Sequence, residues 1–192
     1  MRPLNLLATA LAAAALALTG CAMKIDGHSH GDEHGADMKG GMMGGAAFAT
    51  LSPSATGGAT GSVMFHAMGD ELMVHVQAAG LAPGSVHGFH IHDKGNCASA
   101  DFTSAGGHFN PDAKPHGTQD AAHHAGDMPN LTADADGKVD QKFHLHGASL
   151  TGPNSIVGHA VIVHAGPDDY TTQPTGNSGA RLSCGVIATH GM

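Results

Sequence analysis

A set of six histidines and one aspartate between positions 90 and 164 has the residue types and spacings for metal chemistry. They stand as His90-Ile91-His92, Gly107-His108-Phe109-Asn110-Pro111, His116, His124-Ala125-Gly126-Asp127 and Val163-His164-Ala165. Imidazole is the commonest protein ligand for late first-row metals. One histidine alone would say little. A close pair, a middle cluster ending in a carboxylate and a distant histidine on an apolar run together suggest two metals sharing one site. In a strand, positions i and i+2 lie on one face, so His90 and His92 can reach one ion. His144-x-His146 has the same spacing, but no further ligands accompany it in sequence. It reads as a solvated pair, and His66, His75, His159 and His190 read as surface or packing residues.

The elements that must position these residues are strands. From about residue 46 onward the pattern is short, β-rich and punctuated by Gly, Pro and Asp. Gly61–His66 and Glu71–Gln77 flank Met68-Gly69-Asp70, a hairpin turn signal. His87–His92 alternates with period two. Asp134-Ala135-Asp136-Gly137 is a turn, and Lys138–His146 alternates again. Ile156–His164 and Arg181–Ala188 are apolar strands. No long 3.6-residue period occurs. The class is all-β, an antiparallel sandwich or Greek-key barrel. Two long irregular loops, 93–130 and 165–180, interrupt it, and loops of that length are usually functional.

The first 45 residues follow different rules. Arg2 precedes an apolar run from Leu4 to Leu18, which ends in Leu18-Thr19-Gly20-Cys21. The run is short for a membrane span and is flanked like a secretory signal. Its last four residues resemble the lipobox of bacterial lipoproteins, which are cut before the cysteine and acylated on it. Residues 1–20 then form a lipoprotein signal peptide, and Cys21 is the lipidation site, carrying a palmitate-type chain. The chain has three cysteines, an odd count for an exported protein. With Cys21 acylated, Cys97 and Cys184 remain as a pair, and an oxidising compartment permits their disulfide. Closing so long a loop stabilises a fold by about 4 kcal/mol in the chain-entropy model.

Residues 21–45 hold His28, His30, His34, Met23, Met38, Met42 and Met43 among many glycines, with no apolar periodicity. Such a segment cannot bury enough surface to offset its ordering entropy. It reads as a flexible His/Met-rich tail. Imidazoles and thioethers also suit copper capture, and the two readings are compatible. The whole chain carries 8 Lys and Arg against 16 Asp and Glu, for a formal charge of −8. That disfavours nucleic-acid binding, which needs a basic face.

At this point the motifs resemble copper/zinc superoxide dismutase of the bacterial exported type. The matching stretches are Gly88–His92, Ser104–Pro111, His124–Asp127, Leu131–Gly137, Gly158–His164, Thr175–Arg181 and Leu182–Ile187, in family order. The resemblance covers roughly 60–188 and is specific because the motifs occur together. It implies a superoxide dismutase domain over 46–192, immunoglobulin-like in its Greek-key architecture. It implies one copper per subunit on His90, His92, His108 and His164. It also implies one zinc per subunit on His108, His116, His124 and Asp127. His108 would bridge the metals, and Asp168 would hydrogen-bond a histidine of each. Arg181 would attract the anion and act with His108 in catalysis. The Cys97–Cys184 bridge would pin the ligand loop to the strand carrying Arg181.

The implied activity is dismutation of superoxide to dioxygen and hydrogen peroxide, an antioxidant oxidoreductase reaction. The implied location is the periplasm, with the protein lipid-anchored to the cell-envelope membrane. The alternative is a non-catalytic copper-binding or copper-delivery module of the same fold. A homodimer is left open, because interface patches cannot be located from sequence.

Three features depart from the family pattern. The His116–His124 gap is one residue short, with His123 beside His124. The loop after His164 lacks Lys, and the stretch after Cys97 carries Asp101 instead. Steering of superoxide would therefore rest on Arg181 and the metal. Lys94 and Lys114 are candidates to help, at positions that the sequence does not place relative to Arg181.

Overall fold

The computed structural model describes residues 45–189. The lipobox, Cys21, the tail histidines and His190 therefore lie outside the described residues. Within them the chain forms β1 (Ala46–Pro53), β2 (Thr60–Met68), β3 (Glu71–Ala79), β4 (Val86–His87), β5 (Phe89–His92), β6 (Leu131–Thr132), β7 (Lys138–Leu145), β8 (Ala160–His164) and β9 (Arg181–Val186). A single 3-10 turn, Thr103–Ala105, interrupts the first long loop.

Seven strands make one curled antiparallel sheet in the order β5-β8-β9-β1-β2-β3-β7, and β4 pairs with β6. The small ribbon links the two ends of that order. β4 runs into β5 through Gly88, while β6 is tied to β7 by Gln141, whose Oε1 accepts from Thr132 N at 2.9 Å. The expected hairpin is present, with Met68 opposite Glu71 across the Gly69-Asp70 turn. Gly69 has φ +68, a conformation that favours glycine.

Alternation explains the core. Ala47, Ala49 and Leu51 of β1, Val63 and Phe65 of β2, Leu72, Val74 and Val76 of β3, and Val139 and Leu145 of β7 point inward and are buried. Their neighbours in sequence face out. β5 and β8 depart from alternating exposure, since every residue in both is buried. Phe89, Ile91, Val161 and Val163 join the main core. On the opposite face Ala160 and Ile162 pack with Phe102, Ala105 and Cys184, contributed by the first long loop and β9. That cover makes the outer face of β5 and β8 a second interior. The Cys97–Cys184 disulfide, with Cα atoms 5.8 Å apart across 87 residues, fastens the loop there.

Three sequence boundaries need correction. The run His87–His92 is two strands, because the chain changes partner at Gly88: His87 pairs with Leu131, whereas Phe89 pairs with Val163. A Cβ at Gly88 would sit 2.5 Å from Ser178 Oγ, so the crossing needs glycine. The strand expected over Ile156–His164 begins only at Ala160, after a turn at Gly158 with φ +86. The strand expected over Arg181–Ala188 ends at Val186.

Candidate metal centre

His90 and His92 on β5 and His164 at the end of β8 project from the covered face. The loop 93–130 folds back so that His108 bridges to His92 and Asp127 to His90 along the strand edge. His108, His116, His124 and Asp127 thereby arrive beside the three strand histidines, and all seven are buried. Two four-residue sets result, His90/His92/His108/His164 and His108/His116/His124/Asp127, each with ligand atoms within 4.8 Å of one another. His108 belongs to both.

The hydrogen bonds decide which ring nitrogens carry lone pairs. His92 Nδ1 lies 2.9 Å from the Gly106 carbonyl and His164 Nδ1 lies 3.1 Å from the Gly179 carbonyl. A carbonyl only accepts, so each Nδ1 holds the proton and donates. Both Nε2 atoms are then lone pairs, yet they face each other at 3.3 Å. His90 Nε2 donates to Asp168 Oδ2 at 2.7 Å, and His116 Nε2 to Asp168 Oδ1 at 2.9 Å. Their Nδ1 atoms, with His108 Nε2, are buried without a hydrogen-bond partner. His116 Nδ1 also sits 3.0 Å from Asp127 Oδ2, and His124 Nδ1 sits 3.5 Å from His108 Nδ1. Buried lone pairs converging on one another are costly unless a cation lies between them. The donors therefore fit two metal ions: His90 Nδ1, His92 Nε2, His108 Nε2 and His164 Nε2 for one, and His108 Nδ1, His116 Nδ1, His124 Nδ1 and an Asp127 oxygen for the other. Three nitrogens and a carboxylate suit zinc. An all-imidazole set suits copper.

Burial shifts the titrations accordingly. Desolvation pulls His90 down to about 4 and His164 to about 3, and it lowers His92 further, all from an ordinary 6.5. Desolvation also opposes charge on His116, but Asp127 and Asp168 outweigh it and raise that ring to about 9. Burial would raise Asp127 and Asp168, but the histidines they contact hold both carboxyls well below the usual range.

The two neighbouring histidines at 123 and 124 take different directions. His124 joins the cluster. His123 turns its Nδ1 to the Ala121 carbonyl at 2.7 Å, and its Nε2 lies 3.4 Å from the His146 carbonyl.

Several supporting residues were not apparent in sequence. Buried His87 bonds Ser85 Oγ and the His164 carbonyl, at 2.6 and 2.7 Å. Asn130 grips both backbone groups of Asp168 at 2.8 and 2.9 Å. Gln173 does the same for His116, at 2.8 and 2.9 Å. Paired side-chain amides on a loop carry no sequence signal of that role. Gly176 has φ +68, and a Cβ there would fall 1.7 Å from Asp168 Oδ1, so only glycine lets the carboxylate reach both rings.

Arg181 is half-buried and donates from Nη1 to Phe102 O and from Nη2 to Gly106 O, both at 2.6 Å. The Gly106 carbonyl thus ties the guanidinium to His92. Arg181 also lines a cleft of about 500 Å³ with Ser54, Ala100, Asp101, Thr103 and Gly179. Of the candidate helpers, Lys114 is ion-paired to Asp112 at 3.1 Å, and neither it nor Lys94 lines that cleft.

Comparison with known proteins agrees with this geometry. Residues 59–187 match the family model described as copper/zinc superoxide dismutase (SODC). The chain belongs to the copper/zinc superoxide dismutase family. It is 46% identical over 138 residues to the superoxide dismutase-like protein YojM of Bacillus subtilis, covering 68% of this chain and 70% of that one. It is 38% identical over 145 residues to the Cu-Zn superoxide dismutase of Deinococcus radiodurans, covering 69% and 79%. A crystal structure of a SOD-like protein from Bacillus subtilis superposes with a TM-score of 0.66 at 43% identity, over 72% of this chain and 95% of that one. The clock protein EA4 superposes with a TM-score of 0.69 at 33% identity, over 85% and 100%. The family binds copper and zinc, and the two histidine clusters described above could hold those ions.

Proposed function

We propose that the protein dismutates superoxide, converting two superoxide anions and two protons to dioxygen and hydrogen peroxide. We assign copper to His90, His92, His108 and His164, and zinc to His108, His116, His124 and Asp127. The observation that carries the reading is the set of buried histidine ring nitrogens, with the Asp127 carboxylate, converging on two points that share His108.

When bound, copper supplies one-electron redox chemistry, while redox-silent zinc supplies fixed charge. The chain does the rest. The Gly106 and Gly179 carbonyls fix the tautomers of His92 and His164, so their Nε2 lone pairs are ready without reorganisation. Asp168 holds one ring of each set and couples their orientations. Arg181, beside His92 on the cleft, attracts the anion and orients it. His108 Nε2 is the atom that can take a proton and deliver it to the departing peroxide. Its other nitrogen stays anchored 2.8 Å from Asp127.

The test compares superoxide consumption by fully metal-loaded protein with that of His164→Gln. A fall of at least roughly 100-fold is expected, equivalent to about 2.7 kcal/mol in the barrier. Equal rates would overturn the reading. Tight copper binding with no turnover in the parent would instead favour the copper-delivery module.

We also infer export and lipid anchoring at Cys21, supported by the sequence of residues 4–21. Cys21→Ala should abolish incorporation of labelled palmitate and release the protein from the membrane fraction.

A further inference from the structure

Outward positions on β2, β3 and β7 line up across the open face of the sheet. His66 pairs with Met73, and Met73 pairs in turn with His144. A thioether therefore stands between two imidazoles in one cross-strand row. The next positions along the strands extend the same chemistry, with Met64 and Met68 on β2, Glu71 and His75 on β3. Met64 and Met68 are 38% and 48% exposed, although nothing in the fold requires large apolar side chains on this face. His144 Nδ1 lies 2.7 Å from Glu71 Oε1. That contact favours the proton on Nδ1 and leaves the Nε2 lone pair free, as in carboxylate–histidine–metal arrangements. The His66 ring makes no hydrogen bond among the described residues, so it is equally free.

We propose that His66, Met73 and His144 form a surface copper(I) site, with Glu71 orienting His144. Two imidazoles and a thioether are a soft, low-coordinate donor set that selects copper(I) over zinc, calcium or magnesium. Neighbouring strands lie roughly 4.8 Å apart, so the His66 and His144 backbones are separated by about twice that. Two rings can close such a gap onto one ion above the Met73 sulfur. The same row ends at Ala46, the first residue of β1, which pairs with His66. The site is separate from the buried centre, whose donors lie on β5, β8 and the first long loop, and it stands whether or not that centre turns over.

The experiment uses the full chain with its buried centre already loaded with copper and zinc. Copper(I) is titrated in, under ascorbate and without oxygen, against a chromophoric copper(I) chelator. The parent should take up one more copper(I) per chain than the triple variant His66→Gln, Met73→Leu, His144→Gln. Donors outside the sheet contribute equally to both proteins and cancel. Met73→Leu alone conserves volume and leaves the core untouched, so it guards against misfolding. It should weaken that one copper(I) by at least roughly 10-fold and remove a sulfur neighbour from its X-ray absorption spectrum. Equal stoichiometry in parent and triple variant, or a copper(I) spectrum unchanged by Met73→Leu, would overturn the proposal.

Discussion

His90-x-His92 and His144-x-His146 share a spacing and a strand setting, yet the fold treats them differently. The first pair lies under a loop fastened by a disulfide, with its rings buried, the His90 Nδ1 without a partner and the His92 Nε2 facing only the Nε2 of His164. The second lies on an open face, with side chains about half exposed and both rings within 3.4 Å of Glu71. Ligand type and spacing are equal, so the difference comes from cover. Burial removes the water that would satisfy a lone pair and so makes the site demand a cation. Exposure leaves the same donors satisfied and makes binding optional. A buried centre of this kind holds its ions tightly, whereas a surface row exchanges them.

Breaking one pair at a time should separate the two regimes most strongly. His92→Gln should lose copper on dialysis against a chelator, with retained copper falling by about 100-fold or more. His146→Gln, outside every donor set described above, should retain the parent's copper. Equal retention in both variants would erase the distinction. Asp168→Asn should come next. The amide can accept from only one ring while its NH₂ faces the other, so copper and zinc affinity should both drop by roughly 10- to 100-fold. Loss of zinc alone, measured by metal analysis, would show that Asp168 does not couple the sites.

Arg181→Ala should lower the second-order rate with superoxide by roughly 10-fold. The parent's rate should fall only gently with ionic strength, because no lysine lines the cleft. A steep salt dependence that survives Arg181→Ala would place the steering elsewhere.

The metal-free protein offers a smaller effect, with its sign set by burial. His90, His92 and His164 have folded-state values of about 4 or below, against 6.5 unfolded. Below pH 6.5 the unfolded chain takes up protons that the folded one refuses, so stability is lost as pH falls from there toward 4. His116, raised to about 9, works in the opposite sense: its stabilisation is complete below 6.5 and fades as pH rises toward 9. Three rings outweigh one on the acid side. The melting temperature of metal-free protein should fall by about 5 °C or more between pH 6.5 and 4.5. A flat profile would mean that the covered face admits water.

Much of the covered region was legible in sequence because strand periodicity and ligand chemistry agree there. His90 and His92 lie two apart, and the Met68–Glu71 turn has its expected glycine. What escaped notice depends on register and loop closure. β1 is faint in sequence, because the inward positions of Ala46–Pro53 are mostly alanines while Phe48 faces out, so its alternation is weak in hydropathy although Ala47, Ala49 and Leu51 are buried. His87 stands at odd spacing from His90 and His92, so strand alternation gives no sign of its bond to the His164 carbonyl, which the partner change at Gly88 brings about. Asn130 and Gln173 act through main-chain groups distant in sequence. His144 stood without companions in sequence, since Met73 and His66 reach it only across strands.

The measurement that bears most directly on the central claim is the superoxide removal rate of the protein reconstituted with zinc alone and with copper and zinc together. Superoxide dismutases are known to approach the diffusional ceiling. Zinc-only protein should be inert, and the doubly loaded protein should consume superoxide at rates within reach of that limit. Equal rates in the two forms, or no turnover in a protein shown to carry one copper and one zinc, would contradict the assignment of the buried histidines to a redox centre.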